Sequence, residues 1–278
     1  MLFLGFLPVI SPAQPLQLTV EAGPAMQGAA RRVLDINQAQ LTEALRDAGL
    51  DVPPRAHVTL IPDDDPRAAG TPRWVVGRAY GTGHIELFPS RIGSYPYQAL
   101  ESVVRHEIVH LALNQSAGGR HLPRWFHEGV AVVIEGGWGV GSEVRLLLAA
   151  LERPSLGDVN RLFGSESHPE TISAYLLAAA LVDDLRQRHG PTLPGDIATL
   201  VGEGVPFDVA FHRRTAEAVE QAAAQAWVGY RRLSRWLPLL TSPSALWFLI
   251  MAVAAAAFVA RLRRRAQQRR RWAEEDRE

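Results

Sequence analysis

The residues from Val103 to His110 contain a His-Glu-x-x-His pattern, with His106, Glu107 and His110 set among apolar side chains. On a helix, residues four apart lie on one face, one turn above each other, so His106 and His110 would present two imidazoles to a single metal ion. Glu107 would project beside that ion, where a general base for an activated water molecule stands. The spacing therefore predicts a catalytic metal site.

A third ligand is expected from the next helix, because a catalytic zinc site needs three protein ligands and an open position. Glu128 shares a helical face with the apolar Trp125, so its carboxylate requires a counter-charge or a metal. His121 and His127 are the alternative third ligands. His127 points about 100° away from Glu128 on the same helix, so only one of those two can face the metal. Glu128 is the predicted ligand.

Composition limits the classes of function and the type of metal site. The chain has 278 residues, of which 47% are hydrophobic and 21% are charged, and its formal net charge is zero. No overall positive field therefore favours nucleic acid as a partner. The chain has no cysteine, which excludes disulfides and thiolate ligands, so histidines and carboxylates must hold any metal ion, predicted to be Zn²⁺.

The elements around the motif indicate an α+β fold, in which a small mixed sheet precedes a set of helices. The motif helix is expected over Tyr97–Asn114 and is apolar nearly all round, which is typical of a buried helix. Strands are predicted at Leu16–Glu21, His57–Ile61, Trp74–Ala79 and His84–Phe88, with a hairpin at residues 81–83. Further helices are predicted at Ala25–Ala48, Ser142–Leu151, Ile172–Arg188 and within Phe207–Arg235, and Pro154–Pro169 is predicted to be rich in loops.

Both ends of the sequence suggest a membrane protein. Residues 1–13 are predicted to be a signal peptide, and residues 237–262 form an apolar segment long enough to cross roughly 30 Å of hydrocarbon. The arginine-rich residues 263–278 would then be a basic cytoplasmic tail. Residues 14–236 would form the zinc-site domain outside a bacterial cytoplasmic membrane, in the periplasm, tethered by one transmembrane helix.

Four blocks of the sequence resemble the gluzincin metallopeptidases, and most closely the bacterial peptidase MA-like families. The similarity covers the chain from about Leu16 to Arg235, and its first two blocks are the specific ones. The blocks are His106-Glu107-x-x-His110; Leu122-Pro123-x-Trp125-x-x-Glu128-Gly129-x-Ala131; Ser173-x-Tyr175 with His189-Gly190; and Trp227-x-x-Tyr230.

The resemblance implies a zincin-like fold and a zinc-dependent endopeptidase, whose partner is a peptide or protein substrate. It also implies an edge strand before the motif helix that binds the substrate backbone, by position His84–Phe88. An aminopeptidase signature is absent before the motif. Thermolysin-like relatives place an aspartate four residues after the third ligand, where this chain has Val132, so the resemblance assigns no partner to the imidazoles.

The expected mechanism places the general base at Glu107, which takes a proton from water and passes it to the leaving amine. Tyr175 is the first candidate for a donor to the oxyanion, with His168 second; the alternative for Tyr175 is a core aromatic residue. Two other functions remain open. One is a catalytically silent, membrane-anchored binding module with a zincin fold, and the other is a structural domain in which both histidines are core residues.

Overall fold

The computed structural model describes residues 16–81, 83–93, 99–136, 154–165 and 168–234, together with the single residues 251 and 261. Contacts between Cα atoms divide the chain into two units, Met1–Trp227 and Val228–Glu278. The first unit contains the sheet, the motif helix and most of the other described helices. Its architecture positions the candidate site.

Four strands form one mixed sheet, in the spatial order β1-β2-β4-β3. Strands β1, β2 and β4 are parallel to one another, and β3 runs antiparallel to β4 at one edge of the sheet. A positive φ of 63° at Gly81, which glycine adopts without strain, opens the β3–β4 hairpin. The strands are β1 (Gln17–Glu21), β2 (Arg55–Leu60), β3 (Gly77–Tyr80) and β4 (His84–Leu87).

Ten α-helices accompany the sheet in the described part of the chain. The first five are α1 (Gln27–Leu34), α2 (Gln38–Asp47), α3 (Pro66–Ala69), α4 (Leu100–Ser116) and α5 (Arg124–Glu135). The other five are α6 (Leu156–Phe163), α7 (His168–His189), α8 (Leu193–Gly202), α9 (Phe207–Thr215) and α10 (Val219–Ser234). Short 3-10 turns occur at Pro24–Met26 and Pro89–Arg91.

The motif helix α4 lies at the centre of the core. It packs against β3 and β4 of the sheet and against α5, which in turn packs against α7. Val103, Val104, Ile108 and Val109 of α4 have no solvent exposure. The apolar side chains around the whole helix therefore find partners on the sheet side and on the helical side, as the pattern predicted.

Two predictions of secondary structure were wrong, because in each region a capping side chain starts a helix that the apolar pattern did not predict. The single helix expected over residues 25–48 is two helices, since the Asn37 side chain accepts the backbone N–H of Gln40 and begins α2. The region expected to be loop-rich contains α6, where Ser155 and Asp158 form a capping box. In both places the chain breaks or starts a helix at a polar residue that the apolar pattern does not reveal.

The expected edge strand is also corrected. His84–Phe88 was predicted to be the edge strand beside the motif helix, but β4 lies inside the sheet, between β2 and β3. The edge belongs to β3, because the hairpin folds this earlier strand onto the outer side of β4. The edge strand that packs against the motif helix is therefore Gly77–Tyr80, and β1 forms the other edge of the sheet.

The expected fold class, with a C-terminal transmembrane helix, is corrected. In the part of the chain that the structure describes, no helix is both long enough and apolar enough to cross a membrane. The described fold is mixed α/β with a small sheet. The predicted signal peptide at 1–13, the helix at 142–151 and the tail at 263–278 lie outside the described residues, as does the apolar segment 237–262 apart from Met251 and Arg261.

Helix α5 is held tightly against α7 at Gly129. A Cβ atom at this position would lie 2.5 Å from the carbonyl oxygen of Ala178 and 2.9 Å from Val182 Cγ2. Only glycine permits this approach of the two helices without displacing backbone. Because Glu128 is the neighbouring residue, the same contact sets the position of the predicted metal ligand.

The variant Gly129→Ala is expected to destabilise the fold by about 1–3 kcal/mol, because the added methyl group forces α5 away from α7. Urea unfolding followed by circular dichroism measures this change. The matched control is Gly28→Ala, where nothing lies within 4 Å of the new Cβ in α1. That variant should be neutral or stabilising by up to about 1 kcal/mol. Equal stability of the two variants would contradict the close contact.

Candidate metal centre

Three side chains converge between α4 and α5. His106 and His110 lie one turn apart on α4, and Glu128 reaches them from α5. The Oε2 atom of Glu128 is 3.2 Å from His106 Nε2 and 3.5 Å from His110 Nε2. One ligand atom from each residue lies within 4.8 Å of the others, so this largely buried group could hold a metal ion. The structure thus brings together the three ligands predicted from the sequence.

Packing around α4 leaves little freedom for the two imidazoles. Their ring centroids are 4.5 Å apart, and the ring planes meet at 85°. His106 has no solvent exposure, and the side chain of His110 is 12% exposed. The side chain of Glu128 is 15% exposed, so the group is closed at His106 and partly open at His110 and Glu128.

Glu135 is a partner of His106 that the sequence reading missed. Its Oε2 atom accepts a hydrogen bond from His106 Nδ1 at 2.8 Å, and the residue is only 5% exposed. A carboxylate on the far nitrogen fixes the ring orientation and tautomer of a metal-binding histidine and raises its basicity. Glu135 lies seven residues after Glu128, two turns along the same face of α5, and that spacing was the available signal.

The two carboxylates favour a positively charged imidazole at His106. Burial opposes a positive imidazole, but the hydrogen bonds to Glu128 and Glu135 outweigh it and raise the pKa of His106 to about 10. For Glu128, burial favours the neutral acid, yet hydrogen bonds from His106 and His110 hold the pKa of the carboxyl well below its usual range. Without a metal, the group is a buried network of opposite charges.

Glu107 faces the edge strand. The residue is 4% exposed, and burial raises the pKa of its carboxyl, against the attraction of His110 and His106. The backbone N–H of Ala79 in β3 donates a hydrogen bond to it. A Cβ atom on Gly77 would lie 2.8 Å from Glu107 Oε1, so the glycine allows the strand to approach this carboxylate.

The other residues predicted for the site are Tyr175, His168, His121 and His127. The Tyr175 ring borders the site, with its centroid 6.4 Å from that of His106 and 5.2 Å from that of Phe163, and it is largely buried. Its role as an oxyanion donor stays a prediction, and the side chain of His168 lies outside the described residues. His121 is exposed.

His127, the other alternative ligand, does not join the three-residue group. Its ring is stacked on that of His110 instead, with centroids 4.3 Å apart. Burial, reinforced by repulsion from His110, lowers the pKa of His127 to about 3. His127 is therefore a neutral imidazole at ordinary pH, in contact with a predicted ligand.

The variant Glu135→Gln is expected to weaken metal binding by about 10–100-fold, because His106 loses the negative charge on its far nitrogen. Titration of the metal-free protein against a chromophoric chelator measures the affinity. The control Glu43→Gln removes an exposed carboxylate on α2 and should leave the affinity unchanged. A Glu135→Gln protein with wild-type affinity would show that this hydrogen bond does not tune the ligand.

Metal affinity is expected to rise with pH. His106 keeps its proton below a pKa of about 10, whereas a histidine in the unfolded chain has a pKa of about 6.5, and a metal binds only the deprotonated nitrogen. Below a pH of about 10, each unit of pH should strengthen binding by up to about tenfold, because the metal displaces one proton from His106. The stability of the metal-free protein has the opposite pH dependence. The proton on His106 stabilises the folded state fully below a pH of about 6.5, and this stabilisation is lost as the pH rises through about 10.

Calorimetric titration with metal in buffers of different ionisation enthalpy counts the protons released. The expected value at neutral pH is about one proton for His106. A pH-independent affinity with no proton release would contradict the charged state of the metal-free site.

Comparisons with known proteins add no assignment to this geometry. No model of a known protein family matches the sequence. A search of curated proteins also finds no match. The assignment of His106, His110 and Glu128 as possible metal ligands is therefore supported by geometry alone. The resemblance to gluzincins remains a hypothesis.

Proposed function

We propose that this protein is a zinc-dependent endopeptidase in which His106, His110 and Glu128 hold the metal and Glu107 is the general base. The observation that carries the proposal is the position of Glu107. It is a buried carboxylate beside the three-residue group, in addition to Glu135, and it is not one of the three convergent ligands. A purely structural ion-pair network gives no reason to bury this further carboxyl group.

The donor set supports zinc. Two imidazole nitrogens and one carboxylate oxygen, with no sulfur ligand, match the ligands of hydrolytic zinc sites, which keep a fourth position open. When bound, zinc would polarise a carbonyl and lower the pKa of a water molecule towards about 7.

Glu107 is suited to proton transfer. Its burial raises the carboxyl pKa, which makes the carboxylate a stronger base than an exposed glutamate. The hydrogen bond from the Ala79 N–H restricts where the carboxylate points. In the proposed reaction Glu107 accepts a proton from the attacking water and then delivers it to the leaving amine. Tyr175, which borders His106, is the proposed donor to the oxyanion.

The edge strand supports an extended peptide as the substrate. Strand β3 ends the described sheet, so its outer backbone groups are not paired with another strand of that sheet. An extended chain can add to such an edge through main-chain hydrogen bonds. Because Glu107 touches the same strand at Ala79 and Gly77, a peptide paired with β3 would bring its backbone close to the general base.

The variant Glu107→Gln is expected to lose at least about 100-fold in peptide hydrolysis while it keeps stoichiometric zinc, because the amide cannot accept the proton. Zinc content by elemental analysis and cleavage of casein or a quenched peptide library measure the two properties. The matched control is Glu101→Gln, on the same helix, where the carboxylate pairs with Arg32 instead of the site. This control should retain activity.

Three outcomes discriminate between the functions. A wild-type protein that binds no zinc would contradict the proposal and favour a structural network, for which His106 already has two carboxylate partners. Zinc binding without cleavage across a broad library would favour a silent binding module. Full activity of Glu107→Gln would contradict the assigned base.

A further inference from the structure

The two predicted histidine ligands are held in different ways. Nδ1 of His106 donates to the Glu135 carboxylate at 2.8 Å. Nδ1 of His110 is buried and has no hydrogen-bond partner among the described residues. A metal-binding histidine is normally oriented through its second nitrogen, so His110 needs another restraint on its ring.

The ring of His127 covers one face of His110. The centroids are 4.3 Å apart and the planes differ by 14°, which is a close, nearly parallel stack. Such a contact resists rotation of the His110 ring about its Cβ–Cγ bond, since a turned ring would collide with its neighbour. His106 restricts the same ring from another direction, through the edge-on contact at 85°.

His127 is itself fixed by a side chain of the motif helix. Its Nε2 lies 3.2 Å from the Oδ1 atom of Asn114, and because an amide oxygen accepts, the imidazole nitrogen donates. Asn114 lies four residues after His110, on the same face of α4. One helix therefore carries both the ligand and the residue that anchors the ring stacked on it.

We propose that His127 is a positioning residue, which holds the ring plane of His110 by stacking so that Nε2 faces Glu128. The inference rests on the metal centre of the proposed function. It assigns a role to a histidine that binds no metal in that centre, and it makes the two imidazole ligands chemically unequal. His106 gains basicity from a carboxylate, whereas His110 is restrained by shape and gains none.

The test compares His127→Phe, which keeps a flat ring, with His127→Ala, which removes it, in the full chain. In the metal-free protein, imidazole NMR should show one sharp set of His110 signals for wild type and His127→Phe, and exchange broadening for His127→Ala. With Co²⁺ as the probe, His127→Ala should bind about 10–100-fold more weakly and show an altered d–d spectrum. His127→Phe should remain within about threefold of wild type, and Asn114→Ala should lie between the two.

The NMR experiment separates this inference from the proposed function, because it needs no metal. Sharp His110 signals in His127→Ala, or broadening in His127→Phe equal to that in His127→Ala, would overturn the positioning role. Restricted His110 rotation in a wild-type protein that binds no Co²⁺ would support the positioning role and contradict the metal centre. Thermal unfolding of each variant confirms that the comparison is made between folded proteins.

Discussion

A fully buried imidazole between two carboxylates is the interaction on which this structure depends. His106 contacts Glu128 through one nitrogen and Glu135 through the other, with no access to water. Buried charges are tolerated only when their partners are held in place, so α4 and α5 must keep a fixed separation and rotation. The close contact between α5 and α7 at Gly129 helps to hold α5 in this position. The core therefore supports the site, and the site in turn constrains the core.

The sequence predicts the convergent side chains better than their surroundings. The spacing of His106 and His110 on one helical face is a local property, and the carboxylate at Glu128 follows from the apolar face on which it lies. The partner of His106 is a different case. The seven-residue spacing places Glu135 on the same face of α5 as Glu128, but the turn of α5 that reaches His106 is set by the tertiary packing of α5 on α4. The stack of His127 on His110 depends on the same packing.

The fold shows a similar division. Alternating and apolar patterns predict that the strands exist and that α4 is buried, since these follow from the chain itself. Spatial order does not follow in this way, and the hairpin puts the earlier strand β3, instead of β4, at the sheet edge. Capping also escapes apolar patterns, as Asn37 shows by dividing one predicted helix into two. The transmembrane prediction was based on the apolar residues 237–262. None of the described helices is both long enough and apolar enough to cross a membrane.

The contact between Gly77 and Glu107 makes the length of β3 more critical than most of its side chains. Adding or removing one residue inside a strand reverses the faces of its neighbours. Such a change would turn Val76 or Arg78 towards the space that Gly77 leaves for the carboxylate. A length change at the hairpin tip, beyond Tyr80, leaves the pairing of Gly77 with Leu87 intact. We therefore expect length changes to be tolerated at the turn and to be disruptive a few residues earlier, within a strand that gives the site no side chain.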